Sequence, residues 1–365
     1  MFTRSRLPFL VASAALVLTT AACGSSKTTG VAATGVGTAA PAGAGAPAEL
    51  KLGFFPNVTH AAALIGVDKG YIQAALGSVK LATTQFNAGP AAMEALLGGG
   101  VDATYVGPSP AVNTFVKTHG KELRIVSGAS SGGASLVVQP GITDVAQLKG
   151  KKVATPQLGG TQDVAARAYF KKNGLSTNQK GGGDVSIVPQ DNAQTLDQFK
   201  TKSIDAAWVP EPWASRLVID GGGKVLVNEN DLWPNKEFAT TLLVVRTSFL
   251  TDHPAQVKAL IEANEQSIAF AKSDPAGAAT AVNAQLKLLT TKTLADAVIK
   301  SAFANLTLTD DPLAATIKEQ ANRAADLGFI DKPDLTGILD LSILNDVRKA
   351  KNLPAIDDAG LGGKK

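Results

Sequence analysis

From residue 49 onward, short apolar segments of strand length alternate with longer segments of helical pattern, and this alternation constrains the fold more than any other feature. The predicted strands span 50–55, 79–86, 103–106, 124–128, 136–139, 152–154, 185–189, 206–209, 224–227 and 241–246. The predicted helices span 59–76, 90–98, 110–119, 145–149, 161–172, 193–201 and 211–219. Strands that alternate with helices predict mostly parallel sheets covered by helices, so we expect an α/β protein.

Two changes of pattern divide the α/β region. The segment "VVQPGITDVAQLKGKKVATP" is typical of a strand, a turn, a short helix and a new strand, which places one break near 138–141. The segment "KEFATTLLVVRTSFL" begins a strand that leads into a helical tail, which places a second break near 238–241. Residues 252–350 then predict about five helices. Two chain crossings between two α/β parts are typical of a hinged clamp.

The first 48 residues have a different character. Arg4 and Arg6 precede an apolar segment of 16 residues, 7–22, which is short for a membrane span and typical of a secretory signal. Ala21 and Ala22 before Cys23 resemble a bacterial lipobox, with Thr20 where leucine is usual, so we expect a lipoprotein signal peptide over 1–22 and lipidation of Cys23. The alternative is a plain secretory signal followed by an incidental cysteine.

Residues 23–48 contain almost nothing but small residues after the cysteine, so they predict a disordered tether. The predicted location is therefore the extracytoplasmic face of the cell membrane, with the lipid anchor as the sole membrane contact.

The charge and the metal-binding residue types exclude several functions. Removing the two arginines of the signal leaves 33 basic side chains against 31 acidic ones, and such a balanced chain is not expected to bind nucleic acid. With one cysteine and three scattered histidines, at 60, 119 and 253, neither an internal disulfide nor a zinc site is expected. No cofactor is predicted.

Three turns share one pattern, in which a strand ends, a polar or glycine-bearing turn follows, and a helix begins. The residues of interest in them are Phe55, Pro56, Asn57 and His60 in "GFFPNVTHAAALIG"; Tyr105, Gly107, Pro108 and Ser109 in "DATYVGPSPAVNTF"; and Gln157, Gly159, Gly160 and Thr161 in "ATPQLGGTQDV". Ligands of parallel sheets bind beyond the carboxyl ends of strands, and helix N-termini favour anions. The alternative is that Ser109 and Thr161 cap their own helices.

Two further segments carry candidate site residues. In "SIDAAWVPEPWASRL", Trp208 either lines a pocket or packs in the core, and Glu211 bonds a polar group, orders a contact between lobes, or favours a helix N-terminus. The hydroxyl-rich segment 127–136 either offers Ser130, Ser131 and Ser135 as donors or is a flexible loop between lobes. Arg167 and Arg216 lie in the middle of predicted helices and are expected at the surface.

Zinc-protease and nucleotide-binding signatures are absent from the sequence: it contains no HExxH and no phosphate-binding GxxxxGK[ST] motif. The chain is therefore expected not to be an enzyme.

Four motifs in order carry a family resemblance: "LGFFPNVTHAAALIGVDKGYI", "EALLGGGVDATYVGPSPAVNTF", "VATPQLGGTQDVAARAYFKKNGL" and "SIDAAWVPEPWASRL". Over residues 49–350 the chain resembles the solute-binding proteins of bacterial ABC importers, in the nitrate/sulfonate/taurine group and especially the aliphatic-sulfonate-binding proteins. That group also includes carriers of bicarbonate and of pyrimidine precursors.

The resemblance implies a periplasmic-binding-protein-like clamp with two hinge crossings. Lobe one would comprise 49–138 plus 239–365, with the helical tail on it, and lobe two would comprise 139–238. A small anionic solute would bind in the cleft and pass to an ABC permease and its ATPase. The implied cleft residues are Pro56, Asn57, His60, Gly107, Pro108, Ser109, the 130–135 segment, Gln157, Gly159, Gly160, Thr161, Trp208 and Glu211.

The sequence does not determine the identity of the ligand. A taurine-like ligand would need a carboxylate for its ammonium, for which Glu211 and Asp163 are candidates, whereas a plain alkanesulfonate would need an apolar wall such as Phe54, Phe55 and Trp208. Two other functions also stay open: a relative of the pyrimidine-synthesising proteins, with a histidine as reactant, and a tethered sensor or adhesin that serves no importer.

Overall fold

The computed structural model describes residues 45–363, which form two sheets with helices around them. The predicted signal peptide, Cys23 and the tether up to residue 44 lie outside the described residues. The strands are β1 (Glu49–Phe54), β2 (Lys80–Gln85), β3 (Ala103–Val106), β4 (Leu123–Gly132), β5 (Ala134–Val138), β6 (Lys152–Thr155), β7 (Ser186–Pro189), β8 (Ala206–Pro210), β9 (Lys224–Asn228), β10 (Ala239–Arg246) and β11 (Leu306–Leu308).

The helices follow the strands in the expected alternation and then form the C-terminal tail. They are α1 (Ala61–Asp68), α2 (Tyr71–Leu76), α3 (Gly89–Leu97), α4 (Pro108–Lys117), α5 (Thr161–Lys172), α6 (Asn192–Lys200), α7 (Trp213–Ile219), α8 (Thr247–Asp252), α9 (Pro254–Ser273), α10 (Pro275–Thr290), α11 (Asp296–Ala304), α12 (Ala314–Asp326) and α13 (Ser342–Ala350). Short 3-10 turns lie at Val58–His60, Val145–Leu148, Glu229–Leu232 and Pro234–Lys236. No helix within 45–363 has the length and apolar character that a membrane crossing requires.

The first sheet has the strand order β11-β4-β10-β3-β1-β2. Strand β1 pairs in parallel with β2 and β3, and β10 pairs antiparallel with β3 and β4. The second sheet has the order β7-β6-β8-β5-β9, with β6 parallel to β7 and β8, and β5 antiparallel to β8 and β9. Each sheet thus has a set of three parallel strands connected by helices, as the strand–helix alternation predicted. The prediction of mostly parallel sheets was wrong, because β4, β5, β9, β10 and β11 pair antiparallel.

The chain leaves the first sheet earlier than the sequence pattern indicated. The break was predicted near 138–141, but β4 and β5 are separated by Gly133 alone, and β5 pairs with β8 and β9 in the second sheet. Gly132 and Gly133 have φ values of +76° and +77°, which glycine adopts without strain, so the chain turns there from one sheet to the other. Residues 134–138 therefore belong to the second sheet.

We name the parts built on the two sheets the first lobe (45–132 and 239–363) and the second lobe (134–238). The chain crosses between them at Gly133 and again in the 3-10 turns between β9 and β10. That the two parts move against each other as a clamp stays a prediction.

The helical tail packs on the first lobe. Helices α9 and α10 lie against α1 and α2, and α13 lies against α9. Apolar residues of the tail, including Leu260, Ile261 and Leu344, are fully buried in the same core as β1 and β10. The segment predicted as one helix over 59–76 is two helices, because Gly70 adopts φ +70° between them.

Arg167 is buried, although its position in mid-helix predicted a surface residue. It is 1% exposed because α12 of the first lobe covers α5. Its Nε donates to Asp163 Oδ2 at 3.0 Å, and its Nη1 donates to the Asn178 carbonyl at 2.7 Å. Asp163 also accepts from Thr155 Oγ1 and from the Gly159 N–H, so its carboxylate is already used within the second lobe.

Candidate functional site

The candidate site is a small cavity between the two lobes, at the carboxyl ends of both parallel strand sets. Its lining residues follow β1, β2 and β3 of the first lobe and β6, β7 and β8 of the second lobe, and two come from β10. They are Phe55, Asn57, Thr59, His60, Asn87, Ala88, Gly89, Gly107, Pro110, Pro156, Gly160, Thr161, Gln162, Asn192, Pro210, Thr240 and Thr241. The carboxyl ends of parallel strands are where α/β proteins bind ligands.

Four helices begin at this cavity. They are α3 and α4 from the first lobe and α5 and α6 from the second lobe. None of the four has a side-chain hydrogen bond from its N-cap residue, and the N-caps of α4 and α5 are the glycines Gly107 and Gly160. The intrahelical pairing of α5 begins with the Val164 N–H to the Gly160 carbonyl, so the N–H groups before it have no partner within the helix. The helix starts therefore leave N–H donors and positive dipole ends at the cavity.

Three side chains at the cavity are buried without a hydrogen-bond partner among the described residues. They are Thr161 Oγ1, Thr241 Oγ1 and Asn192 Oδ1, on residues that are 5%, 1% and 8% exposed. A buried polar atom without a partner costs about 1–3 kcal/mol, so three of them at one cavity indicate that a polar group completes them. Ser109 Oγ is also buried and unpaired. Neither Ser109 nor Thr161 caps its own helix, which removes the alternative interpretation of these two hydroxyls.

No lysine, arginine, aspartate or glutamate lines the cavity, whose volume is ≈ 30 Å³. A second, larger opening of ≈ 360 Å³ adjoins it and shares Asn57, Asn87 and Asn192 with it; Pro56, Trp213 and Arg216 also line that opening. Within residues 45–363, no three His, Cys, Asp or Glu side chains cluster in a way that would hold a metal ion. The small cavity is thus a neutral, donor-rich chamber next to a wider entrance.

Gly107 of the first lobe lies directly against Thr161 of the second lobe at the cavity. A Cβ atom on Gly107 would lie 2.2 Å from Thr161 Oγ1, across the lobe boundary. Its backbone is extended, with φ −73° and ψ 158°, which any residue adopts. Glycine is therefore required here for the approach of α5 and not for the local backbone conformation.

Six of the sixteen predicted ligand-binding residues line the cavity: Phe55, Asn57, His60, Gly107, Gly160 and Thr161. Pro56 lines the adjoining opening, and Gln157 lines a separate surface depression beside it. Whether any of them binds a ligand stays a prediction.

The other predicted residues point elsewhere. Tyr105 is fully buried and its hydroxyl donates to Asn264 Oδ1 at 3.1 Å. Trp208 packs in the core of the second sheet, and its Nε1 donates to Glu229 Oε2 at 2.7 Å, so it does not line the candidate cavity. Gly159, with φ +73°, turns the chain before α5 and does not line the cavity.

The serines of segment 127–136 are in strands and not in a flexible loop. Ser130 Oγ donates to the Thr59 carbonyl at 2.8 Å, and Ser131 Oγ accepts from the Phe238 N–H at 3.2 Å. Ser135 pairs with Val209 in the second sheet. These hydroxyls support the backbone behind the cavity and do not line it. Larger residues would not fit at Gly128 in β4, because a Cβ atom there would lie 2.2 Å from the Asp311 carbonyl oxygen.

Sequence reasoning missed two turns and one strand of the cavity. Asn87 and Gly89 follow β2, and Asn192 follows β7, so both turns have the same strand-to-helix pattern that singled out the other three. Thr240 and Thr241 come from the antiparallel β10, for which no such pattern exists.

Glu211 is the centre of a contact between the lobes. The residue is fully buried, and its carboxylate accepts from Ser215 N at 3.1 Å, from Ser215 Oγ at 3.0 Å and from Asn305 Nδ2 of the first lobe at 2.7 Å. Burial raises the pKa of the Glu211 carboxyl, and these hydrogen bonds oppose the rise. Its backbone carbonyl accepts from the Thr59 N–H at 3.4 Å. Nearby, Trp213 Nε1 donates to Asn57 Oδ1 at 2.9 Å.

Replacing Asn305 with alanine is expected to weaken the closed arrangement of the lobes. The substitution leaves the buried Glu211 carboxylate without its donor from the first lobe, so a ligand held between the lobes should dissociate roughly 10-fold faster. Stopped-flow dissociation of whichever anion binds the wild type would measure this. An Asn173→Ala variant, which loses a hydrogen bond inside the second lobe, is the control. Equal dissociation rates for both variants would contradict a role of this contact in closure.

Solved structures with the same architecture identify the fold. The chain is similar to the alkanesulfonate-binding protein SsuA from Xanthomonas axonopodis pv. citri bound to MOPS, with 21% identity, a TM-score of 0.66, and coverage of 80% of this chain and 96% of that one. It is also similar to the periplasmic nitrate-binding protein NrtA from Synechocystis PCC 6803, with 18% identity, a TM-score of 0.72, and coverage of 84% and 90%. The fold is that of periplasmic binding proteins, as the sequence resemblance predicted.

The chain belongs to the NMT1-like family, whose model matches residues 43–286, more than half of its length. Among sequence relatives, a protein of Brucella abortus (strain 2308) is 27% identical over 194 residues, which are 53% of this chain and 58% of that protein. The nitrate/nitrite binding protein NrtA of Nostoc sp. (strain PCC 7120) is 25% identical over 238 residues, with coverage of 59% and 52%. The chain thus spans little more than half the length of these two curated relatives.

Proposed function

We propose that this protein is the extracytoplasmic solute-binding subunit of an ABC importer and captures a small oxoanion in the cavity between its lobes. The observation that carries the proposal is the set of three buried, unpaired side chains at a cavity where four uncapped helices begin. Hydroxyls, an amide and backbone N–H groups stabilise an anion without a charged partner. Relatives are named as nitrate-, bicarbonate- and aliphatic-sulfonate-binding proteins, which are all anion binders.

The two carboxylates considered for the ammonium of a taurine-like ligand are both occupied. Asp163 is paired with Arg167, and Glu211 is bonded to Ser215 and Asn305. Neither of them lines the cavity. A plain oxoanion such as nitrate, bicarbonate or the head group of an alkanesulfonate needs no carboxylate in the cavity. The ammonium of a taurine-like ligand would have to reach the adjoining opening, which Asp191, Asp197 and Asp220 line.

Only one of the three apolar residues that were predicted to contact an alkyl chain lines the cavity. Phe55 lines the cavity, whereas Phe54 and Trp208 are in the cores of the two lobes. The alkyl chain of a sulfonate would instead extend into the adjoining opening, against Pro56 and Trp213.

Delivery would follow the clamp mechanism. A ligand that contacts residues of both lobes binds the closed arrangement better than an open one, so binding shifts the population towards the closed form. A permease would recognise the closed form, and no covalent step is involved. We propose that Cys23 carries the lipid anchor that holds the protein at the membrane.

A thermal-shift screen of the purified protein tests the proposal. The panel contains nitrate, bicarbonate, methanesulfonate, ethanesulfonate, sulfate, taurine and a pyrimidine precursor. An anion at 100 times its Kd is expected to stabilise the protein by about 2.7 kcal/mol, which raises the melting temperature visibly. The double variant Thr161→Val/Thr241→Val keeps the shape of both side chains and should weaken that anion roughly 100-fold, because two hydrogen bonds to a charged group are lost.

The control for this screen is Thr143→Val, an exposed threonine of the second lobe. It should bind the same anion as the wild type does. A melting temperature that rises with none of the anions, or that rises equally in the double variant, would refute the anion site. A rise with the pyrimidine precursor alone would favour the pyrimidine-related alternative.

A further inference from the structure

His60 lies at the cavity and is held rigidly. The residue is 3% exposed, its ring lines the cavity, and it stacks on Phe55 with ring centroids 4.3 Å apart and an interplanar angle of 28°. It lies between the 3-10 turn after β1 and the first turn of α1, and both of these are buried. The ring is therefore fixed within the first lobe, which also carries the starts of α3 and α4.

One hydrogen bond determines where the imidazole carries its proton. The Phe55 N–H donates to His60 Nδ1 at 3.3 Å. A backbone N–H can only donate, so Nδ1 must present its lone pair, and a neutral ring then carries its proton on Nε2. Among the described residues, Nε2 has no protein hydrogen-bond partner. The Nε2–H group is therefore the one hydrogen-bond donor of the neutral ring, and it has no protein acceptor among the described residues. It is available to a ligand in the cavity that His60 lines.

The surroundings keep the ring neutral. No aspartate or glutamate lines the cavity. Glu211 contacts Thr59 through its backbone carbonyl, and its carboxylate accepts hydrogen bonds from Ser215 and Asn305. The neighbouring strands β4 and β10 present serines and threonines at this point and no charged group. Burial without a counter-charge lowers the pKa of His60 to about 3.

We propose that His60 is a specificity residue that donates a neutral Nε2–H hydrogen bond to the bound anion, with its tautomer set by the Phe55 backbone. This inference rests on the proposed function. Its consequence is that His60 itself adds no pH dependence to the affinity between pH 5 and pH 8, because its ring neither gains nor loses a proton in that range. A site that relied on a charged imidazolium would instead bind more tightly as the pH falls through about 6.5.

Nitrogen NMR on protein labelled with ¹⁵N-histidine tests the tautomer without any ligand. The signal of His60 is identified by its loss in His60→Gln, which separates it from those of His119 and His253. The expected spectrum has a protonated Nε2 and an unprotonated Nδ1 that stay unchanged from pH 8 to pH 5. A ring that gains a proton within this range, or one protonated on Nδ1, would overturn the assignment.

Binding measurements with nitrate and methanesulfonate test the role of the donor. His60→Phe keeps an aromatic ring on Phe55 and removes the donor, so affinity should fall roughly 10-fold, whereas His60→Gln keeps an N–H donor and should bind more tightly than His60→Phe. The ratio of the wild-type affinity to the His60→Phe affinity should be the same at pH 5 and pH 8. A His60→Phe variant that binds as the wild type does, or a ratio that rises 10-fold towards pH 5, would overturn the role of His60 alone. A wild type that binds no anion at either pH would refute the proposed function and this role with it.

Discussion

A Gly107→Val variant is expected to lose at least about 1,000-fold in affinity for the anion while keeping the stability of the unliganded protein. A Cβ atom at this position would lie 2.2 Å from Thr161 Oγ1 and 3.2 Å from Thr161 Cβ, so the second lobe cannot approach as it does in the closed arrangement. The ligand would then lose the N–H groups and side chains at the starts of α5 and α6. Three or more hydrogen bonds lost at about 1.5 kcal/mol each account for a change of this size.

The backbone of Gly107 makes this test specific. Its φ of −73° is accessible to valine, so the substitution adds no conformational strain within the first lobe. Isothermal titration calorimetry with the anion found in the thermal-shift screen measures the affinity, and thermal unfolding without ligand measures stability. Gly98→Val is the matched control, because its Cβ would meet no atom closer than 3.4 Å. A Gly107→Val variant that binds within 10-fold of the wild type would show that the lobes need not approach at Thr161 for binding.

As the pH rises from 4 to 8, the free energy of unfolding of a Glu229→Gln variant is expected to increase by about 3 kcal/mol relative to that of the wild type. Glu229 is 1% exposed in the crossing segment between β9 and β10, and its carboxylate accepts from Trp208 Nε1. Burial raises the pKa of Glu229 from 4.5 to about 7, against the opposing effects of the Trp208 hydrogen bond and the Arg323 charge. The folded state therefore holds this proton more tightly than the unfolded chain does.

The direction of the pH dependence follows from that difference. Below pH 4.5 both states are protonated and the stabilising effect is complete. As the pH rises through 4.5 the unfolded chain releases its proton first, so the free energy of unfolding falls by about 1.4 kcal/mol per pH unit until the pH passes about 7. Glutamine has no proton to lose and keeps the acceptor for Trp208, so its stability lacks this decline.

Urea unfolding of both proteins at pH 4, 6 and 8 measures the effect as a difference between the curves, in which all other titrating groups cancel. Glu122→Gln, which replaces an exposed carboxyl, is the control and should keep the pH dependence of the wild type. A difference between Glu229→Gln and the wild type that stays constant across this pH range would contradict a raised pKa at Glu229.

The local patterns of the sequence predicted the elements well where the signal is short-range. Helix α5 spans Thr161–Lys172, the range predicted for it, because its glycine-bearing turn and its Asn173-Gly174 end both lie next to it in the chain. The strand-to-helix turns were also recognised from neighbouring residues, and three of them do meet at one cavity. The resemblance to a known family added the fold, which the solved structures confirm.

The errors concern residues whose environment comes from distant parts of the chain. Segment 127–136 has the composition of a loop, yet β4 is held by pairing with β10 and β11, and β5 by pairing with β8 and β9. Arg167 has the position of a surface residue, yet it is buried, with the ring of Phe329, about 160 residues later in the chain, over its guanidinium. Side chains along β8 alternate between the two faces of the second sheet. Trp208 lies on a face that packs against the core of the second lobe.

By itself, the sequence determined the α/β alternation, the ends of helix α5 and the presence of strand-to-helix turns, because turn chemistry and hydrophobic period depend on residues close together in the chain. The tertiary structure alone decided which turns share a cavity, that Thr240 and Thr241 of an antiparallel strand join them, and that Asn305 of the first lobe pairs with Glu211. Those facts depend on sheet order and on the approach of the lobes, which bring together residues far apart in the chain, and no local pattern encodes such contacts.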